Sequence, residues 1–216
     1  MIELRETLAG ARHRLVGALK GRALFHQGGP AEALYRVQRG CIRLEIEAED
    51  GQRDVVSFLF PGDVVCAGFD THWASAYAVS DCVLAVFALQ NLWDHVSRDP
   101  EAAHGLLQSA DARLVEVAHH MALLSHANAE ARLRWFLGWI APRTALGDGA
   151  ESFHLPMGRR DIADFLGIAP ETVSRTLKEL ETSGELRRLA GRRCVFRPRP
   201  RRWGAAPAAA ECLAAL

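Results

Sequence analysis

Residues 157–178 read MGRRDIADFLGIAPETVSRTLK, and this stretch decides the fold of the C-terminal part of the chain. A short amphipathic helix over 159–166 would carry three apolar residues on one face, namely Ile162, Ala163 and Leu166. Gly167 supplies a tight turn, and Pro170 opens a second helix at its first position, where a missing N–H costs nothing. The pattern predicts a helix-turn-helix whose second helix runs to about Ser183.

The second helix turns an apolar side inward and leaves polar residues on its other faces. Its inward residues recur at spacings of four and three, at Val173, Leu177 and Leu180. The N-terminal end of such a helix enters the major groove of DNA. There Arg can form hydrogen bonds with guanine, Glu can accept a hydrogen bond from cytosine, and Ser can reach a base edge. We predict base contacts from Glu171, Ser174 and Arg175, which share a face. We predict contacts with the DNA backbone from Arg159, Thr172, Lys178, Arg192 and Arg193.

The chain of 216 residues has no net charge, but its charge is unevenly distributed. Residues 157–202 carry 12 Arg or Lys against 6 Asp or Glu, whereas residues 1–156 carry a net charge of −5. Eight arginines lie within residues 187–202, around two predicted strands at 185–189 and 194–197. These strands and the turn between them predict a wing whose arginines meet phosphates, because a basic block releases counterions from DNA.

Cys194 lies among these arginines. Positive charge favours a thiolate, so the sequence predicts a lowered pKa and suggests a redox role for this thiol beside the DNA. The other interpretation is a small wing residue that faces the core of its domain. The five cysteines share no close spacing, which predicts reduced thiols rather than a disulfide framework.

The N-terminal part has the period of strands. Apolar runs at 33–37, 41–47 and 54–60 are separated by turn residues, and the second run alternates apolar and charged residues. This pattern predicts a meander or small β-barrel over roughly residues 15–90.

After Pro100 the apolar residues follow the period of a helix. Six of them recur at spacings of 3, 4, 3, 4 and 3, at Leu107, Ala110, Leu114, Val117, Met121 and Leu124. Such a seam is buried most simply against its own copy in a parallel dimer, and packing on the helix's own domain is the alternative. A further helix is expected over about 129–140, with its Trp and Phe residues in the core.

Two sets of residues resemble the Crp–Fnr superfamily of bacterial regulators in its Fnr/FixK-like version. One is the run from Met157 to Gly167 with the sequence ETVSR at 171–175. The other comprises FHQG at 25–28, Gly40 and FPGDVV at 60–65. The resemblance implies an α+β fold with a cyclic-nucleotide-binding-like β-roll, a long dimerisation helix and a C-terminal winged helix-turn-helix. We expect a sensor domain over 1–105, a dimerisation helix and hinge over 106–140, and a DNA-binding domain over 141–216.

The resemblance also implies partners. In the Fnr-like branch the Glu-x-x-Ser-Arg pattern recognises a TTGAT-like half-site, so Glu171, Ser174 and Arg175 carry over to base contacts. A homodimer would bind an inverted repeat in double-stranded DNA. Family members commonly activate transcription by touching RNA polymerase.

The sensor part departs from the nucleotide-binding members. These carry an arginine that cradles the cyclic phosphate, but no arginine lies between Arg53 and Arg98 here, so cyclic-nucleotide binding is not expected. No cysteine precedes Cys41, so an iron–sulfur cluster is not expected either, and no motif predicts a metal or other cofactor. The alternative is a sensor module for haem, a gas or a small metabolite, whose effector controls DNA binding.

Other features narrow the class of protein. No apolar stretch reaches the roughly 20 residues needed to cross a bilayer, so a cytoplasmic protein without membrane contact is expected. No pairing of a nucleophile with a base stands out, so an enzyme is not expected. We interpret Trp73 and Trp93 as buried core, with a small ligand pocket as the alternative.

Overall fold

A computed structural model describes residues 8, 10–49, 51–147 and 152–198. The chain divides into two compact units, Met1–Arg113 and Leu114–Leu216. Within the described ranges, no helix combines the length and the apolar character needed to span a membrane.

Over its described residues, the first unit is a roll of eight strands in two antiparallel sheets. The strands are β1 Arg14–Ala18, β2 Ala23–Phe25, β3 Ala33–Arg39, β4 Ile42–Glu47, β5 Arg53–Leu59, β6 Val64–Val65, β7 Ser75–Ala78 and β8 Cys82–Ala88. One sheet has the order β1-β8-β3-β6 and the other β2-β7-β4-β5. The three strands predicted from the sequence are confirmed as β3, β4 and β5.

The alternation in β4 explains how this roll is filled. Ile42 and Leu44 lie on the inner face and are almost fully buried, together with Val37, Leu59 and Leu84 from the neighbouring strands. Side chains of a strand alternate between its two faces, so every second residue reaches the core.

Gly40 makes the turn before β4 and needs to be glycine for two reasons. Its φ is 97°, which L side chains rarely adopt. A Cβ atom at this position would also lie 2.5 Å from the Cys82 Sγ and 2.6 Å from the Asp81 carbonyl oxygen.

Helices follow the roll. They are α1 Leu89–Val96, α2 Pro100–His126 and α3 Ala129–Ile140, and a 3-10 turn at Pro142–Thr144 succeeds α3. The long helix predicted after Pro100 is present, and the bounds predicted for the helix at 129–140 are confirmed. Helix α1 was not predicted because its eight residues are too few to establish a period.

The C-terminal elements form a winged helix-turn-helix. They are β9 Ser152–His154, α4 Arg159–Leu166, α5 Pro170–Thr182, β10 Leu186–Arg188 and β11 Arg193–Phe196, with a 3-10 turn at Ala190–Arg192. The predicted helices and both predicted wing strands are confirmed. Strand β9 was not predicted, and it pairs antiparallel with β11 to give the sheet order β10-β11-β9.

The four tryptophans within the described residues separate into two groups. Trp135 and Trp139 are buried with Phe136, as predicted for the helix at 129–140. The interpretation of Trp73 and Trp93 as core is wrong, because they are 51% and 47% exposed. Neither residue belongs to a periodic apolar pattern in the sequence, so its burial could not be predicted from the sequence and is shown only by the tertiary structure.

The Gly40 turn yields a stability prediction. Gly40→Ala should lower the free energy of unfolding by about 3 kcal/mol, because backbone strain adds to a collision with β8. Gly62→Ala is the matched control, since its φ of 100° is similar but no atom lies within 4 Å of its added Cβ. Urea denaturation gives the free energy of unfolding of both variants and so separates backbone strain from steric collision. Equal losses of this free energy would contradict a collision of the added Cβ atom with β8.

Candidate nucleic-acid interface

Helix α5 is held by one buried side and presents the other to solvent. Val173, Leu177 and Leu180 are almost fully buried, as their spacing predicts. Pro170 occupies the first turn, and Ala169 before it is extended. The helix is therefore fixed by its apolar residues, and its N-terminal half is open on the polar side.

The three predicted base-contact residues lie on this open side. Glu171 and Arg175 are exposed and stand one turn apart, and 71% of the Arg175 side chain is accessible. Ser174 is half-buried, and its Oγ donates to the Pro170 carbonyl oxygen at 3.0 Å. Arg175 lies 3.9 Å from exposed Glu179, and an exposed pair of this kind holds a side chain only weakly.

The predicted backbone contacts come from two places. Arg159, at the start of α4, donates from Nη1 to the Ser174 Oγ at 3.3 Å, so the structure brings these two residues together. Lys178 is exposed further along α5, and Thr172 is half-buried. These residues surround Glu171 and Arg175 with positive charge and hydroxyl groups.

The wing presents its two predicted residues differently. Gly191 and Arg192 are consecutive residues with positive φ, 69° and 62°, at the tip of the wing. The Arg192 Nη1 donates to the Pro156 carbonyl oxygen at 2.7 Å, so this guanidinium binds its own domain. Arg193 is exposed at the first position of β11. Arg199, Arg201 and Arg202 lie outside the described residues.

A buried ion pair that the sequence did not indicate anchors the wing. Glu185, before β10, is 3% exposed and accepts a hydrogen bond at 3.0 Å from the Arg134 Nη2 on α3. Arg134 also binds Glu130 at 2.8 Å. The two partners are 51 residues apart, so no local pattern relates them. Glu185 raises the pKa of the Arg134 guanidinium, which is therefore always charged in this pair.

Two family models match the two parts of this architecture. A cyclic nucleotide-binding domain matches residues 17–99, and a Crp-like helix-turn-helix domain matches residues 131–201. The nitrogen fixation regulation protein FixK of Bradyrhizobium diazoefficiens is 32% identical over 80% of this chain and 74% of its own length. FixK of Azorhizobium caulinodans is 35% identical over 82% of this chain and 72% of its own length. The chain belongs to the Crp–Fnr family.

A solved structure agrees with this assignment to the FixK-like branch of the Crp–Fnr family. FixK2 from Bradyrhizobium japonicum superposes with a TM-score of 0.82 at 32% identity, covering 91% of this chain and all 100% of that one. The resemblance and the fold class expected from the sequence are confirmed. Members of the family regulate transcription, so the protein is a DNA-binding regulator rather than an enzyme.

The first unit of this Crp–Fnr protein holds a buried histidine between β6 and β7. His72, in the segment that follows β6, is 4% exposed and stacks on Phe25 with 3.7 Å between ring centroids. Burial lowers the pKa of this imidazole. Gly68 lies at φ 124°, and an added Cβ would approach the Thr71 carbonyl oxygen to 2.1 Å. The segment is thus folded closely on itself around an uncharged ring.

The first unit also holds an apolar cavity of about 650 Å³. Residues of the roll, α1 and the start of α2 line it, among them Leu34, Val64, Phe69, Trp93, Leu107 and Ala110. Trp93 therefore lines a cavity, whereas Trp73 is not among the lining residues. Across the described ranges, no three His, Cys, Asp or Glu residues are grouped as metal ligands would be.

The predicted dimer seam lies open along α2 in the single chain. Leu107, Leu114, Val117 and Met121 are 69%, 67%, 49% and 64% exposed. Ala110 is exposed as well, and Leu124 is half-buried. The apolar residues of the predicted seam are therefore largely accessible along α2.

The prediction that Cys194 has a lowered pKa is wrong. The side chain is 4% exposed, and burial raises the pKa of its thiol more than the charge of Arg188 lowers it. Arg188 is itself paired with Glu181, which reduces the positive potential at the sulfur. Cys194 faces the domain core, where β11 pairs it with Phe153 of β9.

The burial of Cys194 predicts that its thiol reacts slowly with alkylating reagents. At pH 8 iodoacetamide should alkylate Cys194 about tenfold or more slowly in the native protein than in urea, because thiolate and access are both reduced. Mass spectrometry of the peptide that contains Cys194 measures the rate in each state. Equal rates in the two states would show that the side chain is accessible.

Proposed function

We propose that this regulator binds an inverted repeat of TTGAT-like half-sites as a homodimer and does so without a cyclic nucleotide. The observation that carries the proposal is the exposure of Glu171 and Arg175, one turn apart, at the start of a helix whose other side is buried. A helix N-terminus with such side chains suits insertion into the major groove. The family model for a Crp-like helix-turn-helix covers the same residues.

The chemistry of the three residues fits the proposed half-site. The Arg175 guanidinium donates two hydrogen bonds to guanine O6 and N7, and the Glu171 carboxylate accepts from cytosine N4. Ser174 reaches a base edge, while Arg159 beside it contacts the phosphate. Thr172, Lys178, Arg192 and Arg193 make the remaining backbone contacts, which position the protein without reading sequence.

The homodimer rests on the exposed stripe of α2. Two copies packed along it would bury the stripe and place two recognition helices, α5 and its symmetry mate, about a two-fold axis. A two-fold symmetric protein matches an inverted repeat. The apolar cavity extends this surface, because Leu107 and Ala110 belong both to its lining and to the stripe.

The proposal that no cyclic nucleotide is needed rests on the sensor segment. A phosphate needs a charged partner, and the buried ring at this segment, His72, is kept neutral by its surroundings. The second candidate is an apolar metabolite in the cavity of about 650 Å³, a volume within the usual range for ligand sites. Selective binding to DNA without any added ligand would favour the first proposal, and binding only after a ligand is added would favour the metabolite.

The remaining parts of the proposal concern location and output. We assign the sensor role to 1–105, dimerisation and hinge to 106–140, and DNA binding to 141–216. Contact with RNA polymerase in the cytoplasm completes the proposed role, as expected of a Crp–Fnr regulator that activates transcription.

DNA titration tests the recognition residues. Arg175→Ala should lose roughly 1–3 kcal/mol of binding free energy on the TTGAT repeat and little on a scrambled duplex. Arg193→Ala is the matched control, because a phosphate contact should weaken both duplexes alike and reduce the salt slope by about 1. Fluorescence anisotropy with reduced protein and no ligand measures the six affinities of wild type and the two variants on the two duplexes. Equal losses for Arg175→Ala on both duplexes would contradict base recognition.

The seam is tested by introducing charge. Leu114→Asp should convert the dimer to a monomer at micromolar concentration, since a carboxylate would be buried in the interface. Ala112→Asp is the control, because Ala112 is exposed on the opposite side of α2. Light scattering after gel filtration gives the molar mass of each variant. A dimeric Leu114→Asp protein would rule out this seam.

A further inference from the structure

One guanidinium binds the carbonyl ends of two helices at the base of the DNA-binding motif. Arg132 lies in the first turn of α3, and its Nε donates to the Ala127 carbonyl oxygen at 2.9 Å. Its Nη2 donates to the carbonyl oxygen of Leu124, near the end of α2, at 2.8 Å. Its Nη1 donates to the carbonyl oxygens of Leu166 and Gly167, at the end of α4, at 2.9 Å and 3.2 Å.

The carbonyls of Leu124 and Leu166 are among those that helices leave without partners, and Ala127 and Gly167 follow directly after the two helix ends. The last four carbonyl groups of a helix have no N–H within it, and α2 ends at His126 while α4 ends at Leu166. A cation at a helix C-terminus also interacts favourably with the helix dipole. Arg132 satisfies both requirements for two helices at once.

The hydrogen bonds of Arg132 fix the relative orientation of the two helix ends as well as holding them together. A guanidinium is a rigid planar fork, so four bonds from one fork constrain the angle between the two helix ends. His120 of α2 also meets α4, through a ring stack on Phe165 at 4.1 Å and a hydrogen bond with the Phe165 backbone, but Arg132 is bonded to the last turns of both helices. Gly167, which Arg132 binds, begins the turn into the recognition helix α5.

We propose that Arg132 is a positioning residue that sets the distance and angle between the two recognition helices of the dimer, and therefore the half-site spacing that the protein accepts. The inference rests on the proposed function. If α2 lies on the two-fold axis, a change in angle at its end displaces both recognition helices in opposite senses. Each added base pair turns the second half-site by about 35° and moves it by about 3.4 Å, so spacing is a sensitive measure of this geometry.

Spacer length provides the test. TTGAT inverted repeats with spacers varied one base pair at a time are titrated with full-length wild-type protein, Arg132→Lys and Arg134→Lys. Wild-type affinity should fall about tenfold one base pair from the best spacer, whereas Arg132→Lys should vary about threefold or less across the series. The lysine keeps the charge but one ammonium cannot span four carbonyls at two helix ends.

Arg134→Lys separates positioning from stability. Arg134 lies two positions along the same helix and binds Glu185 and Glu130, not the end of α2. This variant should lose thermal stability yet keep the wild-type spacing profile. A profile for Arg132→Lys that is parallel to the wild-type curve would overturn the inference. If wild-type protein binds no repeat selectively, the proposed function itself fails.

Hydrogen exchange tests, without DNA, whether Arg132 holds the ends of α2 and α4 together. In Arg132→Lys the amides at the end of α2 and in the 166–169 turn should exchange about tenfold faster than in wild type, and the remainder of the second unit should be unchanged. In Arg134→Lys the faster exchange should lie around Glu185 instead. Unchanged exchange at both helix ends in Arg132→Lys would overturn the inference.

Discussion

The winged helix-turn-helix depends on the burial of an aromatic cluster where α2, α3 and α4 converge. The Phe165 ring lies 4.1 Å from the ring of His120 and 5.7 Å from that of Trp139, and Phe136 is fully buried beside them. Each fully buried aromatic side chain contributes about 1.5–3 kcal/mol through the hydrophobic effect. Burial also lowers the pKa of His120, so that the stacked imidazole is neutral at neutral pH. Because the apolar side of the motif is buried in this cluster, its polar side remains exposed to solvent and available to DNA.

The basic residues of the second unit divide between two tasks according to what surrounds them. Arg132 binds carbonyl oxygens at helix ends and Arg134 binds a buried carboxylate, so both act inside the domain. Arg175, Lys178 and Arg193 are exposed and contribute to the field that a polyanion meets. Charge composition alone treats these arginines as equivalent. Their roles differ because a guanidinium can donate hydrogen bonds to a carbonyl, a carboxylate or a phosphate, and the fold determines which of these is near.

The first unit shows that the architecture of a domain and its binding residues are set by different requirements. The roll has the architecture of a cyclic nucleotide-binding domain, and its turn glycine at position 40 is required by steric contact. Steric requirements of this kind belong to the fold and are independent of any ligand. The binding residues are a separate matter, and in this roll the segment between β6 and β7 holds His72, buried and stacked on Phe25. Shared architecture and a different effector are therefore compatible.

The sequence by itself determined the elements whose signals are local. The helices at 129–140 and 159–166 and the start of α5 at Pro170 follow from apolar periodicity, a turn glycine and a proline, and they agree with the structure. The exposed positions of Glu171 and Arg175 follow from the same period. Tertiary structure alone decided the raised pKa of Cys194, the exposure of Trp73 and Trp93, and the pairing of Arg134 with Glu185. The physical reason is that burial and ion pairing depend on groups far apart in the chain, whereas helix periods and turns depend on neighbours.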